Sequence, residues 1–314
     1  MGRTMPIHPS LTGLSVFERG WLSSNNILIH PAAGEDGAVL VDTGHVNHAG
    51  QTVQLVRQGL AGRTLAHVFN THLHSDHCGG NAALRREFGV GPTLPPGQAQ
   101  AVREWDEDAL SYKATGQRIE RFEVRDVVEP GQAVVAGGRR WQVLAAPGHD
   151  PHSVMWFDAE GGVLLSADAL WENGFGVVFP EVEGEPGFDD VGLVLDRIEA
   201  LPVRVVIPGH GAPFTDVRGA LERARKRLAG FRTDPLRHAR HAVKVLIKYH
   251  LMEEREMPLS ELLRWADAAP LVRGLRERHP ALAAVAGHWI EAFVRELVVA
   301  GALAMREDGV VTDA

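Results

Sequence analysis

The chain has 314 residues, of which 45% are hydrophobic and 23% charged, and these proportions predict a globular protein with a substantial core. The formal net charge of −8 argues against a polyanionic nucleic acid as a partner. A single cysteine, Cys78, excludes an internal disulfide and fits a reducing compartment. The first residues lack the apolar core of a signal peptide, and no apolar run is long enough to span a membrane. We therefore expect a cytoplasmic protein without membrane contact.

Short apolar runs typical of strands dominate the first two thirds of the chain, with helical periodicity between them. The predicted strands are 26–30, 38–41, 65–70, 132–135, 140–145, 153–157 and 162–166. The predicted helices are 52–60, 99–122, 190–200 and 217–228. Strand pairs with interspersed helices predict an α/β (α+β) fold in which two sheets pack together with helices outside.

The character of the sequence changes near residues 231–235, so we predict two domains, 1–232 and 236–314. The second domain has three helical segments, 237–252, 259–267 and 281–300, and ends in two short strands around Glu307-Asp308-Gly309. Three helices closed by a hairpin resemble a winged-helix module, which would suggest nucleic-acid binding. Its 11 basic and 11 acidic residues leave no basic face. We therefore favour a packing or dimerisation module that walls the active site, and a homodimer remains open.

Four residues of the types that bind metals lie close together in the run His72-Leu73-His74-Ser75-Asp76-His77. Three more follow separate apolar stretches, as His149, Asp168 and His210. On an extended segment His72 and His74 leave the same face and can bind one ion, whereas Asp76 and His77 diverge unless the backbone turns. The run therefore divides into two ligand pairs for two neighbouring ions. Nitrogen and oxygen ligands without thiolate suit zinc, iron or manganese.

This run resembles the H-x-H-x-D-H signature of the metallo-β-lactamase fold superfamily. The likeness covers the first three quarters of the chain and includes Val41-Asp42-Thr43-Gly44. It implies an αββα sandwich and two divalent metal ions, with zinc expected and iron or manganese as alternatives. By resemblance, His72, His74 and His149 bind the first ion, Asp76, His77 and His210 bind the second, and Asp168 bridges them. Asp42 would brace the ligand loop without binding metal.

The resemblance also implies a hydrolase in which metal-bound hydroxide is the nucleophile, with Asp76 and Asp168 as catalytic ligands. True metallo-β-lactamases lack a bridging aspartate at the position of Asp168, which points away from antibiotic resistance. We expect a small-molecule acyl substrate, namely a thioester, ester or lactone. The alternative is a metal-dependent phosphodiesterase or nuclease of the same fold, and a metal-binding regulator is a weaker third interpretation.

Residues around this run predict the walls of a pocket. Trp171, Phe175, Phe179 and the segment 105–112 are the substrate-facing candidates. The basic residues Arg223, Arg225, Lys226 and Arg227 either attract an anionic substrate or form the solvated face of a helix. The sequence further predicts that Cys78 is a small buried residue, that His152 bonds local backbone, and that His45 and His48 belong to a helix start.

Overall fold

Two β-sheets form the centre of the molecule in the computed structural model, which describes residues 8–285 and 287–314. The first sheet has its strands in chain order: β1 (Leu14–Phe17), β2 (Asn26–Ile29), β3 (Ala38–Val41), β4 (Leu65–Phe69), β5 (Pro92–Leu94) and β6 (Asp126–Val127). The second sheet has the order β11-β10-β9-β8-β7: β7 (Ala133–Ala136), β8 (Arg139–Ala145), β9 (Val154–Asp158), β10 (Val163–Ala167) and β11 (Val205–Pro208).

The two sheets bury one face against each other and the other face against helices. Along β2, Ile27 and Ile29 join the core between the sheets, whereas Leu28 faces the helices of the first sheet. In the second sheet, Trp156 lies in the central core and Phe157 packs outward. Because successive strand residues point to opposite faces, strands that are buried on both sides must be apolar throughout. This explains why the sequence shows continuous apolar runs.

Helices cover the outer faces, so the predicted αββα sandwich is confirmed. They are α1 (Ala49–Leu60), α2 (Ser75–Cys78), α3 (Asn81–Phe88), α4 (Ala99–Glu104), α5 (Tyr112–Thr115), α6 (Phe179–Glu183), α7 (Phe188–Glu199) and α8 (Val217–Thr233). Helices α1 and α3 pack on the first sheet through Val56 and Leu84, and α7 and α8 pack on the second through Leu195 and Leu221.

The C-terminal part follows α8 after the single residue Asp234. It comprises α9 (Pro235–Glu254), β12 (Glu256–Pro258), α10 (Leu259–Ala268), α11 (Pro270–Arg278), α12 (Trp289–Val299), β13 (Leu303–Met305) and β14 (Val310–Asp313). Its small sheet has the order β12-β14-β13. The core of this part includes Val177 and Val182 from the preceding sequence. The division into two domains and the winged-helix likeness therefore remain predictions.

Two helix predictions are wrong in extent. Residues 99–122 form only α4 and α5, because Trp105 has a positive φ of 58° and Asp106 accepts hydrogen bonds from the backbone of Asp108 and Ala109. Residues 281–300 form α-helix only from Trp289, after a short 3₁₀ helix at Pro280–Ala283, because Gly287 has a φ of +83°, a conformation that ends regular helix. Helix α11 was not predicted. Within the described residues, no helix is both long and apolar enough to cross a membrane.

Candidate metal centre

The seven predicted ligands meet at one edge of the sandwich, where strands end. Strands β3 and β4 are parallel neighbours in the first sheet, and β10 and β11 are parallel neighbours in the second. The residues that follow them therefore emerge at the same side. His72, His74, Asp76 and His77 follow β4, Asp168 follows β10 and His210 follows β11, while His149 follows β8. The strand topology thus brings together ligands that are far apart in the sequence.

Three imidazole nitrogens form the first ligand group, which consists of His72, His74 and His149. The Nδ1 atom of His74 lies 3.0 Å from Nε2 of His72 and 2.8 Å from Nε2 of His149. These three atoms are close enough together to bind a single ion. Three converging nitrogen ligands with a further position open are the arrangement of a catalytic metal site.

The second ligand group consists of Asp76, His77 and His210. Oδ2 of Asp76 is 3.0 Å from Nε2 of His210 and 3.7 Å from Nε2 of His77. Asp168 stands between the two groups: its Oδ2 is 3.4 Å from Nε2 of His149, and its Oδ1 is 3.5 Å from Nε2 of His77. One carboxylate therefore faces both groups, which is the geometry expected of a bridging ligand.

Hydrogen bonds at the far side of three rings determine which nitrogen keeps its proton. Nδ1 of His149 donates to the carbonyl of Val177 over 2.6 Å, and Nδ1 of His77 donates to Oδ2 of Asp42 over 2.8 Å. Nδ1 of His72 lies 3.1 Å from Oγ1 of Thr71, which itself donates to Asp42. In the neutral form of each ring, Nε2 is then the nitrogen without a proton, and it points inward. Such outward bonds orient metal-binding histidines and raise their basicity.

Asp42 holds the ligand loop through hydrogen bonds, and its role as a brace that binds no metal stays a prediction. Its Oδ1 accepts from the backbone N–H of Thr71 and its Oδ2 accepts from the hydroxyl of Thr71, both over 2.8 Å. The residue is buried and has a φ of 60°, a conformation that aspartate tolerates better than most residues. Asp42 therefore connects the end of β3 to the first ligands after β4 and to the ring of His77.

The charges of the cluster shift the pKa values of its members strongly. Burial lowers the pKa of His72 well below its usual value, and the imidazoles of His77, His74 and His149 lower it further. Burial also lowers the pKa of His74 to about 4. For His77, burial opposes protonation, but the carboxylates of Asp42, Asp168 and Asp76 outweigh it and raise the pKa well above 6.5. Carboxylates that favour a proton on this ring would equally favour a metal cation beside it.

The residues present fit a pair of divalent metal ions. Nε2 of His77 is buried and has no hydrogen-bond partner among the described residues, although buried polar atoms are nearly always satisfied. Burial raises the pKa of Asp76, but His77 and His210 outweigh burial and hold it at about 2. The ligands are five imidazoles and two carboxylates without a thiolate, which suits zinc, iron or manganese. Cys78 is fully buried and lies outside both groups, as predicted for a small packing residue.

Two glycines leave room for these ligands at close quarters. A Cβ atom on Gly209 would lie 2.1 Å from Oδ1 of Asp168, and one on Gly176 would lie 2.4 Å from Nδ1 of His149. Neither distance is compatible with a side chain. The glycine before His210 is therefore part of the centre, because it lets the end of β11 approach Asp168.

A cavity of about 570 Å³ opens from the ligands. Trp171 and Phe179 line it, and Nε1 of Trp171 donates to Oδ1 of Asp168 over 3.2 Å. Phe175, predicted to line the pocket, is instead 1% exposed and packs edge-on against Phe231, because its ring joins the apolar core beneath helices α7 and α8. The segment 105–112 likewise lies away from the cavity, since Leu110 and Tyr112 pack into a core with Leu73.

Helix α9 supplies much of the cavity wall, which the sequence analysis did not assign to particular residues. Its contributions are His241, Lys244, Val245, Leu246, Lys248, Tyr249, His250, Met252 and Glu253. From the basic run only Arg227 reaches the cavity, while Arg223 and Arg225 are paired with carboxylates on the surface. Trp21, stacked on the ring of His210 with centroids 5.4 Å apart, was also missed. The helical spacing of apolar residues in α9 could have indicated which face of this helix is buried, but not that the face lines the cavity.

The profile of the Metallo-beta-lactamase superfamily matches residues 19–210, which is more than half of the chain and includes both ligand groups. The chain belongs to the metallo-β-lactamase superfamily. A hydroxyacylglutathione hydrolase of Synechococcus sp. (strain JA-3-3Ab) is 32% identical over 141 residues, covering 45% of this chain and 47% of that protein. The chain thus matches about half the length of such curated relatives.

Solved structures share the fold over most of the chain. A metallo-beta-lactamase family protein from Thermus thermophilus has a TM-score of 0.55 at 21% identity, with 96% of this chain and 99% of that chain covered. At that identity the likeness shows the fold alone. TTHA1623, solved in a di-iron-bound form, has a TM-score of 0.53 at 27% identity, with 67% of our chain and 98% of the TTHA1623 chain covered.

Proposed function

We propose that this chain is a dinuclear metal-dependent hydrolase that cleaves an acyl bond in a thioester, an ester or a lactone. The observation that carries the proposal is the position of Asp168 between two complete ligand groups at the base of one cavity. Two divalent ions bound there would supply an activated water and polarise the bond to be cleaved.

The chain's own residues would keep this centre rigid and in register. Asp168 faces both ligand groups and is itself held by the indole N–H of Trp171. Asp42 holds the ring of His77, and the carbonyl of Val177 holds the ring of His149. Ligands that such neighbours hold in place need little reorganisation during a reaction.

The metals are proposed on chemical grounds and by likeness. The ligand chemistry accepts zinc, which we propose as the resident metal, and also iron or manganese. The di-iron form of TTHA1623 supports the count of two and keeps iron as an alternative. The Synechococcus relative is named as a hydrolase of hydroxyacylglutathione, an S-acyl thioester of glutathione, and this name supports thioester chemistry.

The surroundings of the cavity favour an acyl substrate over a phosphodiester. Its wall is rich in apolar side chains: Val177, Phe179, Val245, Leu246, Met252, Trp265 and Leu297. Lys244 and Lys248 are paired with Glu296 and Asp313. Among the described residues, only Arg227 lines the cavity as an arginine or lysine without a carboxylate partner. A single such cation gives a polyanionic backbone little to bind.

Side-by-side turnover of metal-loaded protein on S-acyl, lactone and bis-phenyl-phosphate substrates tests the proposal. We expect acyl hydrolysis that chelation abolishes and that the Asp168→Ala variant, purified in the same way, lacks. A preference for the phosphodiester of at least tenfold in kcat/KM, about 1.4 kcal/mol of transition-state binding, would instead support the nuclease alternative. Activity that survives chelation would contradict a metal-dependent reaction.

A further inference from the structure

Helix α9 contacts the loops that carry the metal ligands through two side chains one helical turn apart. Tyr249 and Glu253 are separated by four residues and therefore project from the same face of the helix. Both line the cavity, and Tyr249 lies edge-on to the ring of His45 with centroids 5.9 Å apart. This face of α9 lies against the catalytic sandwich.

Tyr249 is hydrogen-bonded to the first residue of α2, the helix that carries Asp76 and His77 of the second ligand group. Its hydroxyl shares a 2.7 Å hydrogen bond with Oγ of Ser75, and the backbone N–H of Ser75 donates to Oε1 of Gln117. Asp76 and His77 are the next two residues of α2, which has only four residues. A helix of a single turn has no stability of its own, so outside contacts must hold its direction.

Glu253 is bonded to the loop that carries Asp42. Its Oε1 accepts from Nε2 of His45 over 2.9 Å, and its backbone carbonyl accepts from Nδ2 of Asn47 over 3.0 Å. Nδ1 of His45 accepts from the backbone N–H of Asn47, which leaves the proton on Nε2 to face Glu253. Glu253 is only 6% exposed, and a carboxylate that is buried to this degree needs such partners.

The two contacted segments touch each other directly. A Cβ on Gly79, at the end of α2, would lie 2.5 Å from the backbone nitrogen of Val46. The backbone N–H and the hydroxyl of Thr43 both donate to the carbonyl of His77, over 2.7 and 3.0 Å. A displacement at either contact of α9 would therefore reach the second ligand group. His149, a ligand of the first group, instead follows β8 in the other sheet.

From these contacts we infer that Tyr249 and Glu253 are positioning residues for the second ligand group. The helix of the C-terminal part would then hold Asp76 and His77 in place in addition to closing the cavity. The inference does not depend on which bond the enzyme cleaves. A role limited to joining the two parts of the chain would affect stability without favouring one ligand group.

The test follows the release of metal from the full-length, Co²⁺-loaded protein by increasing chelator. Tyr249→Phe and Glu253→Ala should lower the chelator concentration that removes one ion by tenfold or more, a size typical of residues that orient ligands. The other ion should leave as in the wild type, and the visible Co²⁺ bands should change. Asp76→Ala, which lacks a ligand of the second group, identifies the ion concerned. Glu253→Gln, which keeps an acceptor for His45, should restore most of the affinity.

Glu254→Gln is the matched control. Glu254 is adjacent to Glu253 and pairs with the guanidinium group of Arg118. The backbone N–H of Arg118 donates to Oε1 of Glu253, and Glu254→Gln leaves that N–H in place. This variant should release metal like the wild type. The inference is overturned if Tyr249→Phe and Glu253→Ala only lower the melting temperature while both ions stay as tightly bound. It is equally overturned if Glu254→Gln causes the same selective loss. A wild type that binds a single ion would contradict the dinuclear proposal, and the variants would still be judged on that ion.

Discussion

At the residue scale, Asp42 holds the ring of His77, which is one of the proposed metal ligands. Both of its oxygens are occupied, by Thr71 and by Nδ1 of His77. Asparagine has nearly the same shape and also tolerates the positive φ found here. Its amide NH₂ group cannot accept a hydrogen bond from Nδ1 of His77. The Asp42→Asn substitution therefore removes the hydrogen bond that orients His77 and keeps the backbone conformation.

We predict that Asp42→Asn weakens metal binding by about 10- to 100-fold and leaves the fold intact. The His77 ring would lose the acceptor that directs its Nε2 inward. Chelator competition measures the affinity, and circular dichroism checks the fold. Unchanged affinity in a folded variant would show that the His77 ring is held by packing alone.

Asp168 has the opposite role, because it faces both ligand groups. We predict that Asp168→Ala loses affinity at both groups together with nearly all activity, since no other carboxylate lies between His149 and His77 among the described residues. Elemental analysis of the fully loaded variant and of the wild type measures this. A wild type that holds only one ion tightly, or a variant that keeps two, would contradict the assignment.

At the scale of elements, the sequence indicates where ligands leave the strands but not how loops fold. His149, Asp168 and His210 each follow an apolar run, and those runs are β8, β10 and β11. Residues 99–122 look helical by composition, yet the backbone turns at Trp105 and buries Tyr112, whose hydroxyl donates to the carbonyl of Leu73. Tertiary contacts of this kind override local propensity. The prediction for Phe175 failed for the same reason, since proximity to Asp168 in sequence does not give direction.

A histidine attaches α9 to the segment before α6. Nε2 of His238 accepts from the backbone N–H of Val178, and burial, together with Arg227 and His279, lowers the pKa of His238 to about 4. The folded state therefore keeps this ring neutral, while the unfolded chain takes up a proton near pH 6.5. The resulting stability is complete above pH 6.5 and is lost as the pH falls towards 4.

We predict that His238→Gln reduces the acid sensitivity of the fold. Its amide oxygen can accept from Val178 but does not titrate. The melting temperatures of variant and wild type should differ by a constant amount above pH 7 and converge or cross between pH 6.5 and 4. The lowering of the pKa of His238 to about 4 corresponds to about 3 kcal/mol of folding stability. A constant difference at every pH would show that another group causes the acid loss.

At the scale of the whole molecule, the C-terminal part is the feature that sequence reasoning described least completely. The composition argued for a packing module, and the apolar residues at helical spacing indicated that a buried face exists. Val243, Ile247, Leu262, Ile290 and Phe293 are indeed buried. The contacts of Tyr249 and Glu253 could not be predicted, because they join residues about 170 to 210 positions apart in the sequence. Only the folded topology brings them together.

Deleting residues 235–314 should therefore give an insoluble or unstable protein. The deletion exposes Val177 and Val182, which belong to the shared core, and removes the wall formed by α9. Apolar surface that is newly exposed on this scale favours aggregation. Solubility, melting behaviour and metal content of the truncated and full-length proteins measure the effect. A soluble truncated protein with unchanged melting and full metal content would contradict both the packing role and the contacts of α9 with the ligand loops.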